Sequence, residues 1–269
     1  MRPFVAAAVL VAPTLIGAQQ QSTPRGGWPC GARLDPSYFH VAEGTGGQLL
    51  LLAPEEIGDS ATLLTAVRNH AQTIFRLAGS LTLGVHDFQV PIDPSVESAI
   101  FSISAQCLEV AHVLRPSGLS ASGDDVTDLS NFRALRMVIV AKPQPGLWTI
   151  RVSGSGVYAV MVQARSATGI SRVQFASADS TISRAVPTAG VENVATLKIS
   201  GTFTEIRGSL VSGEFQKMAD LPFERGDAEG SYVSRFTPGA ESFRVMIACT
   251  DAEGFAVQRM HAPLLTPVR

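Results

Sequence analysis

The sequence predicts a mainly β protein, with two consecutive β-sandwich domains behind a short helix–strand–helix segment. Three observations predict it. Beyond about residue 80, apolar residues recur with period two in runs of strand length. Turn-forming clusters separate these runs every ten or so residues, as at Arg115-Pro116-Ser117-Gly118, Lys142-Pro143-Gln144-Pro145-Gly146 and Ser153-Gly154-Ser155-Gly156. Finally, 269 residues that are 45% hydrophobic and only 16% charged can fill a core, have room for two domains, and are too weakly charged for a disordered chain or a coiled coil.

Taken in chain order, residues 1–18 read as a signal peptide: Arg2, an apolar stretch from Phe4 to Ile16 broken by Pro13 and Thr14, then Gly17-Ala18 before a polar run. A buried N-terminal helix is the alternative. The stretch is shorter than the about 20 apolar residues a bilayer span needs, and no later segment approaches that length, so no membrane span is expected. Residues 19–34 form a flexible lead.

Residues 35–80 form the helix–strand–helix segment. Asp35 can cap a helix that Pro36 opens and Gly44 stops. Gln48 to Leu52 has strand length. Pro54-Glu55-Glu56 opens a second helix, with Ile57, Ala61, Leu64, Ala71, Ile74 and Ala78 at helical spacing. The first sandwich spans 81–166. Its strands include Phe101–Ile103, Leu108–Leu114, Arg136–Ala141, Leu147–Val152 with Trp148 inward, and Val157–Val162. The second spans 167–269, with strands at 195–199, 203–211, 243–250 and 255–260, a short hairpin loop at 251–254, and a less regular stretch from Ser177 to Asn193.

A net charge of −2 offers no basic face for nucleic acid. With a leader, the chain is expected outside the cell, or in the periplasm of a bacterium. There the three cysteines, Cys30, Cys107 and Cys249, allow one disulfide in any of three pairings. Cys30–Cys107 is preferred because the Gly/Pro-rich lead around Cys30 needs a tie. Cys249, in phase with Phe243, Val245 and Ile247, reads as a buried thiol.

Tyr38-Phe39-His40-Val41-Ala42-Glu43-Gly44-Thr45-Gly46-Gly47-Gln48 resembles the closing part of a von Willebrand factor A domain, as found in hemicentins and related extracellular proteins. Val90 to Val96, the Leu114–Gly118 turn and Pro145 to Ile150 resemble the galactose-binding-domain-like sandwich that follows there. Phe243 to Ile247 with Asp251 to Arg259 is similar to the closing hairpin of an immunoglobulin-like module. The resemblance implies an extracellular adhesion or matrix role. It departs from the family at the front: about 80 residues precede the first sandwich, and the D-x-S-x-S metal motif of an A domain is missing, the nearest run being Asp128-Leu129-Ser130-Asn131-Phe132. Metal-dependent adhesion is therefore not carried over. Without the rest of an A domain, the 48–52 strand has an open apolar edge that must be covered. We expect the lead to pack it on its own helix or on the first sandwich.

The sequence has no G-x-S-x-G, H-E-x-x-H, C-x-x-C, Walker or EF-hand pattern, and its five histidines are scattered. No catalytic or cofactor-binding residue is assigned. Asp124, Asp125 and Asp128 are candidate Ca²⁺ ligands on one loop, and Asp227 and Glu229 form a second acidic pair; a solvated polar loop is the other reading of each. Trp28, Tyr38, Tyr158 and Tyr232 are candidate aromatic platforms for a sugar. The function expected is a secreted, non-enzymatic interaction or structural module that binds an extracellular protein or glycan through sandwich loops and edges. An exported hydrolase with an unrecognised site is the alternative.

Overall fold

The computed structural model describes residues 8–10, 30, 34–68, 72–129, 132–180, 182–201, 203, 205–251 and 253–269. The expected leader (apart from 8–10), most of the 19–34 lead, and Trp28 lie outside them.

The lead folds as its caps dictate, with one change. Helix α1 spans Pro36–Thr45, and the Asp35 carboxylate accepts from the Ser37 N–H at 2.8 Å. Its left-handed stop is Gly46 (φ +72), two residues past the Gly44 expected from sequence. The C-terminal segment crosses there: a Cβ on Gly46 would lie 2.8 Å from Ala262 Cβ and 2.9 Å from Pro263 N. Strand β2, Leu49–Leu51, pairs in parallel with β1, Ala8–Leu10, so a strand lies inside the expected leader. A 3-10 turn over Pro54–Asp59 leads into α2, Ser60–Arg68. Glu56 accepts from the Ala53 N–H at 2.7 Å and, with its other oxygen, from the Arg133 N–H at 2.9 Å, anchoring this turn to the first sandwich. As expected, the orphan strand is covered: Leu50 and Leu52 pack with Leu63 and Val67 of α2 on Ile100, Leu135 and Met137.

The second helix was expected to run to Ala78. It ends at Arg68, and Gln72–Leu81 is strand β3. Thr73 to Ala78 are buried without interruption. A strand covered on both faces loses its alternation, and a short apolar run then also fits a helical spacing.

The first sandwich is one sheet folded on itself. It comprises β3, β4 (Val85–Ile92), β5 (Val96–Leu114), β6 (Val126–Leu129), β7 (Leu135–Ala141) and β8 (Gly146–Ser166). Sequence placed a turn at Ser153–Gly156; instead β8 runs through it as a bend. Gly154 (φ +148) and Gly156 (φ +84) supply the conformation, opposite register shifts at Ala105/Cys107 and Leu108/Val110 of β5. A Cβ on Gly154 would lie 2.0 Å from the Cys107 carbonyl oxygen. Bulges with glycine let paired strands turn a corner together. The proof of the fold-over is the ring pair Phe101–Trp148. Phe101 is in register with Val162, far along β8 from Trp148, yet the two rings stack at 5.3 Å in the core.

The second sandwich opposes sheet β13-β14-β10-β9 to strands β12, β11, β15 and β16. These are β9 Gly169–Ser177, β10 Asn193–Ser200, β11 Glu205–Val211, β12 Lys217–Pro222, β13 Glu224–Arg225, β14 Ser231–Phe236, β15 Arg244–Thr250 and β16 Ala256–Met260. Phe175, Leu197, Leu210, Leu221, Phe243, Val245 and Ile247 fill the space between. Sequence missed β12 because only Leu221 of its six residues is buried. The Met260–Thr73 pairing of β16 with β3 joins the two sandwiches through one continuous sheet.

Two buried ionic junctions fix the units against one another. Glu43 of α1 accepts from Arg76 of β3 (Nη2 to Oε1, 2.7 Å) and from Nη2 of Arg244 on β15. These three residues are 4%, 3% and 0% exposed. Arg259 of β16 donates to Asp93 Oδ2 at 2.7 Å and to the hydroxyls of Ser95 and Ser166 in the first sandwich. Such paired, hydrogen-bonded charges do little for stability compared with apolar packing, but removing one partner is costly, so they enforce one arrangement.

Candidate ligand-binding cleft

At one end of the second sandwich the chain leaves β10 through Gly201 and Phe203, while β13 turns into β14 through Gly226-Asp227-Ala228-Glu229-Gly230. Between these loops lies a cleft of about 340 Å³, lined by Phe203, Arg225, Asp227, Glu229, Tyr232 and the glycines. The turn is fixed by its backbone. The Gly226 N–H donates to Ser231 O and the Ser231 N–H to Ala228 O, both at 2.9 Å. The Ile199 N–H donates to Gly230 O at 2.8 Å. Gly230 (φ +68) approaches so closely that a Cβ would lie 2.6 Å from Ile199 O. Only glycine meets both demands.

On this frame, Arg225, Asp227 and Glu229 stand exposed, and among the described residues none is in an ion pair. Phe203 and Tyr232 contribute half-buried rings. The cleft thus offers one cation, two carboxylates and two aromatic edges. Such a set can hydrogen-bond hydroxyls and stack on an apolar sugar face, or seat a polar protein loop.

The other sequence candidates are placed differently. Asp125 receives both Arg115 amino groups, at 3.1 and 2.9 Å, and these hydrogen bonds hold its carboxyl below the usual range. Asp128 receives Arg136, with Nη2 at 2.5 Å. Asp124 is exposed. Two of the three candidate Ca²⁺ ligands are therefore engaged by separate arginines, and among the described residues no three acidic, histidine or cysteine side chains form a metal-holding group. Tyr38 is exposed on α1; Tyr158 stacks on Phe88, and burial raises its phenol pKa. Trp148 is fully buried, as its alternation predicts.

Cys30 and Cys107 are joined in a disulfide that ties the lead to the β5 bulge. Cys249 is buried, and burial pushes its thiol up to about 12.

Residues 76–167 match the hemicentin galactose-binding domain-like family. Over 241 residues, 83% of its length, the chain is 24% identical to mouse Hemicentin-1, and over 243 residues it is 24% identical to human Hemicentin-1. Mouse Hemicentin-2 is 26% identical over 151 residues. The chain carries a hemicentin-like region. This hemicentin-like region spans 4% of the length of the Hemicentin-1 proteins. A Bacillus licheniformis lipase in its propeptide form, 9% identical, covers 70% of this chain and 40% of its own with a TM-score of 0.34, which carries no argument. Among the described residues no helix is long and apolar enough to cross a membrane.

The family match explains why Val90–Val96 and Pro145–Ile150 were legible. The family match also takes in residues 76–81 of β3, a strand whose first part sequence periodicity had assigned to a helix. The cleft was legible only in parts: Asp227, Glu229 and Tyr232 were singled out, but Arg225 and Phe203 were not. The signal that could have joined them is the glycine pair Gly226 and Gly230 bracketing two acids.

Proposed function

We propose that this chain is a secreted, non-enzymatic interaction module of the matrix-adhesion kind, binding an extracellular protein or glycan through its sandwich loops and edges. The observation that carries the binding role is the loop cleft, where Arg225, Asp227 and Glu229, in no ion pair among the described residues, stand beside Phe203 and Tyr232 on a backbone fixed by glycine. The hemicentin resemblance supports the matrix setting. In this reading 1–18 is the leader and 19–34 the linking lead. Residues 35–80 are an A-domain remnant whose last strand, β3, joins the galactose-binding-like sandwich at 81–166. Residues 167–269 form the immunoglobulin-like sandwich, and the buried junctions hold them as one stiff unit.

The test is a thermal melt of the secreted chain with a panel of neutral, amino and acidic saccharides, with Ca²⁺, and with EDTA. A ligand at a hundred times its Kd adds about 2.7 kcal/mol, or roughly 5–10 °C for a protein of this size. A saccharide shift that Asp227→Asn and Glu229→Gln abolish, without moving the unliganded melt, supports the cleft. A panel that leaves the melt unmoved removes the glycan half of the reading.

A further inference from the structure

Strand β2 has two edges, and they are satisfied in different ways. On one, the Leu51 N–H donates to the Ser104 hydroxyl at 2.9 Å, and that hydroxyl donates on to Ala134 O at 3.3 Å. Backbone groups of successive strand residues point to opposite edges, so the N–H and C=O of Leu50 face the other side. That side is occupied by β1, in parallel register with Val9 opposite Leu50. β1 is the sole sheet partner of β2 among the described residues. Beside β2 lies a mainly apolar groove of about 350 Å³, lined by Leu34, Phe39, Leu49, Leu51 and Val157 together with the polar Asp35, His40 and Glu214.

The strand that fills this edge belongs to the expected leader. Removal of that leader during export would take Ala8–Leu10 away and leave the Leu50 N–H and C=O without their strand partner among apolar residues, where an unpaired polar group is costly. We infer that in the exported chain the β2 edge is a strand-acceptor site, taking an extended, uncharged apolar segment of a partner protein as a parallel strand. The chemistry of the occupant is read from the sequence of the strand paired there, the small or aliphatic Ala8-Val9-Leu10. Main-chain hydrogen bonds to Leu50 supply affinity, and the groove supplies side-chain selectivity. The site is separate from the loop cleft and lies on another unit, so either can fail without the other. It rests on export with leader removal, which is measured independently.

The probe is a soluble-tagged peptide of residues 4–16, added to the chain purified from the medium of a secreting host. Intact mass gives the N-terminus; removal of residues 1–18 is expected, and retention overturns the inference because β1 then fills its own seat. Amide exchange at Leu50 is read next. Slowing of at least tenfold at saturating peptide, lost when the peptide carries an N-methyl group at Leu10, supports the site. No slowing, or equal slowing by the N-methylated peptide, overturns it, since apolar adsorption needs no backbone donor. Protection of Leu50 without peptide that rises with protein concentration also overturns it, because the occupant is then a second copy.

Discussion

Replacing Glu43 by Gln keeps the side-chain shape and removes a charge that two buried guanidinium groups share. Arg76 Nη2 lies 2.7 Å from Glu43 Oε1, and Arg244 bonds the other oxygen. Both arginines are sealed from water, and burial already lowers Arg244 to about 10 despite the carboxylate beside it. Without Glu43 the junction holds two like charges and no counter-ion. Breaking a buried pair costs about 3–5 kcal/mol. At roughly 2–4 °C per kcal/mol for a chain of this length, Tm should fall by about 6–20 °C. The main-chain bond from the Leu264 N–H to Glu43 O survives in the variant, so the loss reports the charge. The control is Glu97→Gln: its pair with Arg165 leaves both side chains 60% or more exposed, and such pairs are worth about 0–1 kcal/mol. Circular-dichroism melts at pH 7 check both. A Glu43→Gln melt within about 2 °C of the parent refutes the view that this junction constrains the assembly.

His261 yields a pH prediction. Burial first, and the Arg244 charge second, lower it to about 4, against 6.5 in the unfolded chain. Between those values the unfolded chain binds a proton that the folded one does not. Its contribution is therefore whole above pH 6.5 and lost as pH falls toward 4, amounting to about 3 kcal/mol in all. Urea titrations across pH 4–7 should show that slope, and His261→Leu should flatten it; an unchanged slope refutes the assignment. Asp93 acts lower on the scale. Burial raises its pKa, but Arg259 and Ser95 outweigh that and lower it, so its contribution is lost only at pH below the normal carboxylate value. Reducing Cys30–Cys107, which closes a loop of 77 residues, should cost up to about 4 kcal/mol, read as a lower Tm in dithiothreitol. Cys249 should resist iodoacetamide until the chain unfolds. Gly154→Ala drives a methyl group into the Cys107 carbonyl at the corner of the folded sheet and should lower stability by more than about 2 kcal/mol in denaturant melts.

Sequence by itself determined the local features. Pro36 after Asp35 set where α1 starts, and the alternation of Trp148, Ile150 and Val152 set which face of β8 is inside. The Gly/Pro-rich surroundings of Cys30 pointed to the right disulfide partner. These depend on neighbouring residues, so the pattern holds the information. What depends on burial from both sides was not legible. Thr73–Ala78 lost its alternation when both faces were covered, and β8 passed through an apparent turn because Gly154 had to clear Cys107. Arg225 and Phe203 line the cleft from segments some twenty residues apart, with no shared local signal. Only tertiary structure decided that Glu43, Arg76 and Arg244 form one junction and that β2 has one edge satisfied by Ser104 and one by the strand at residues 8–10. The reason is physical. A buried charge or backbone group must find its partner wherever the chain brings one, and the 201 residues between Glu43 and Arg244 carry no periodic trace of that meeting.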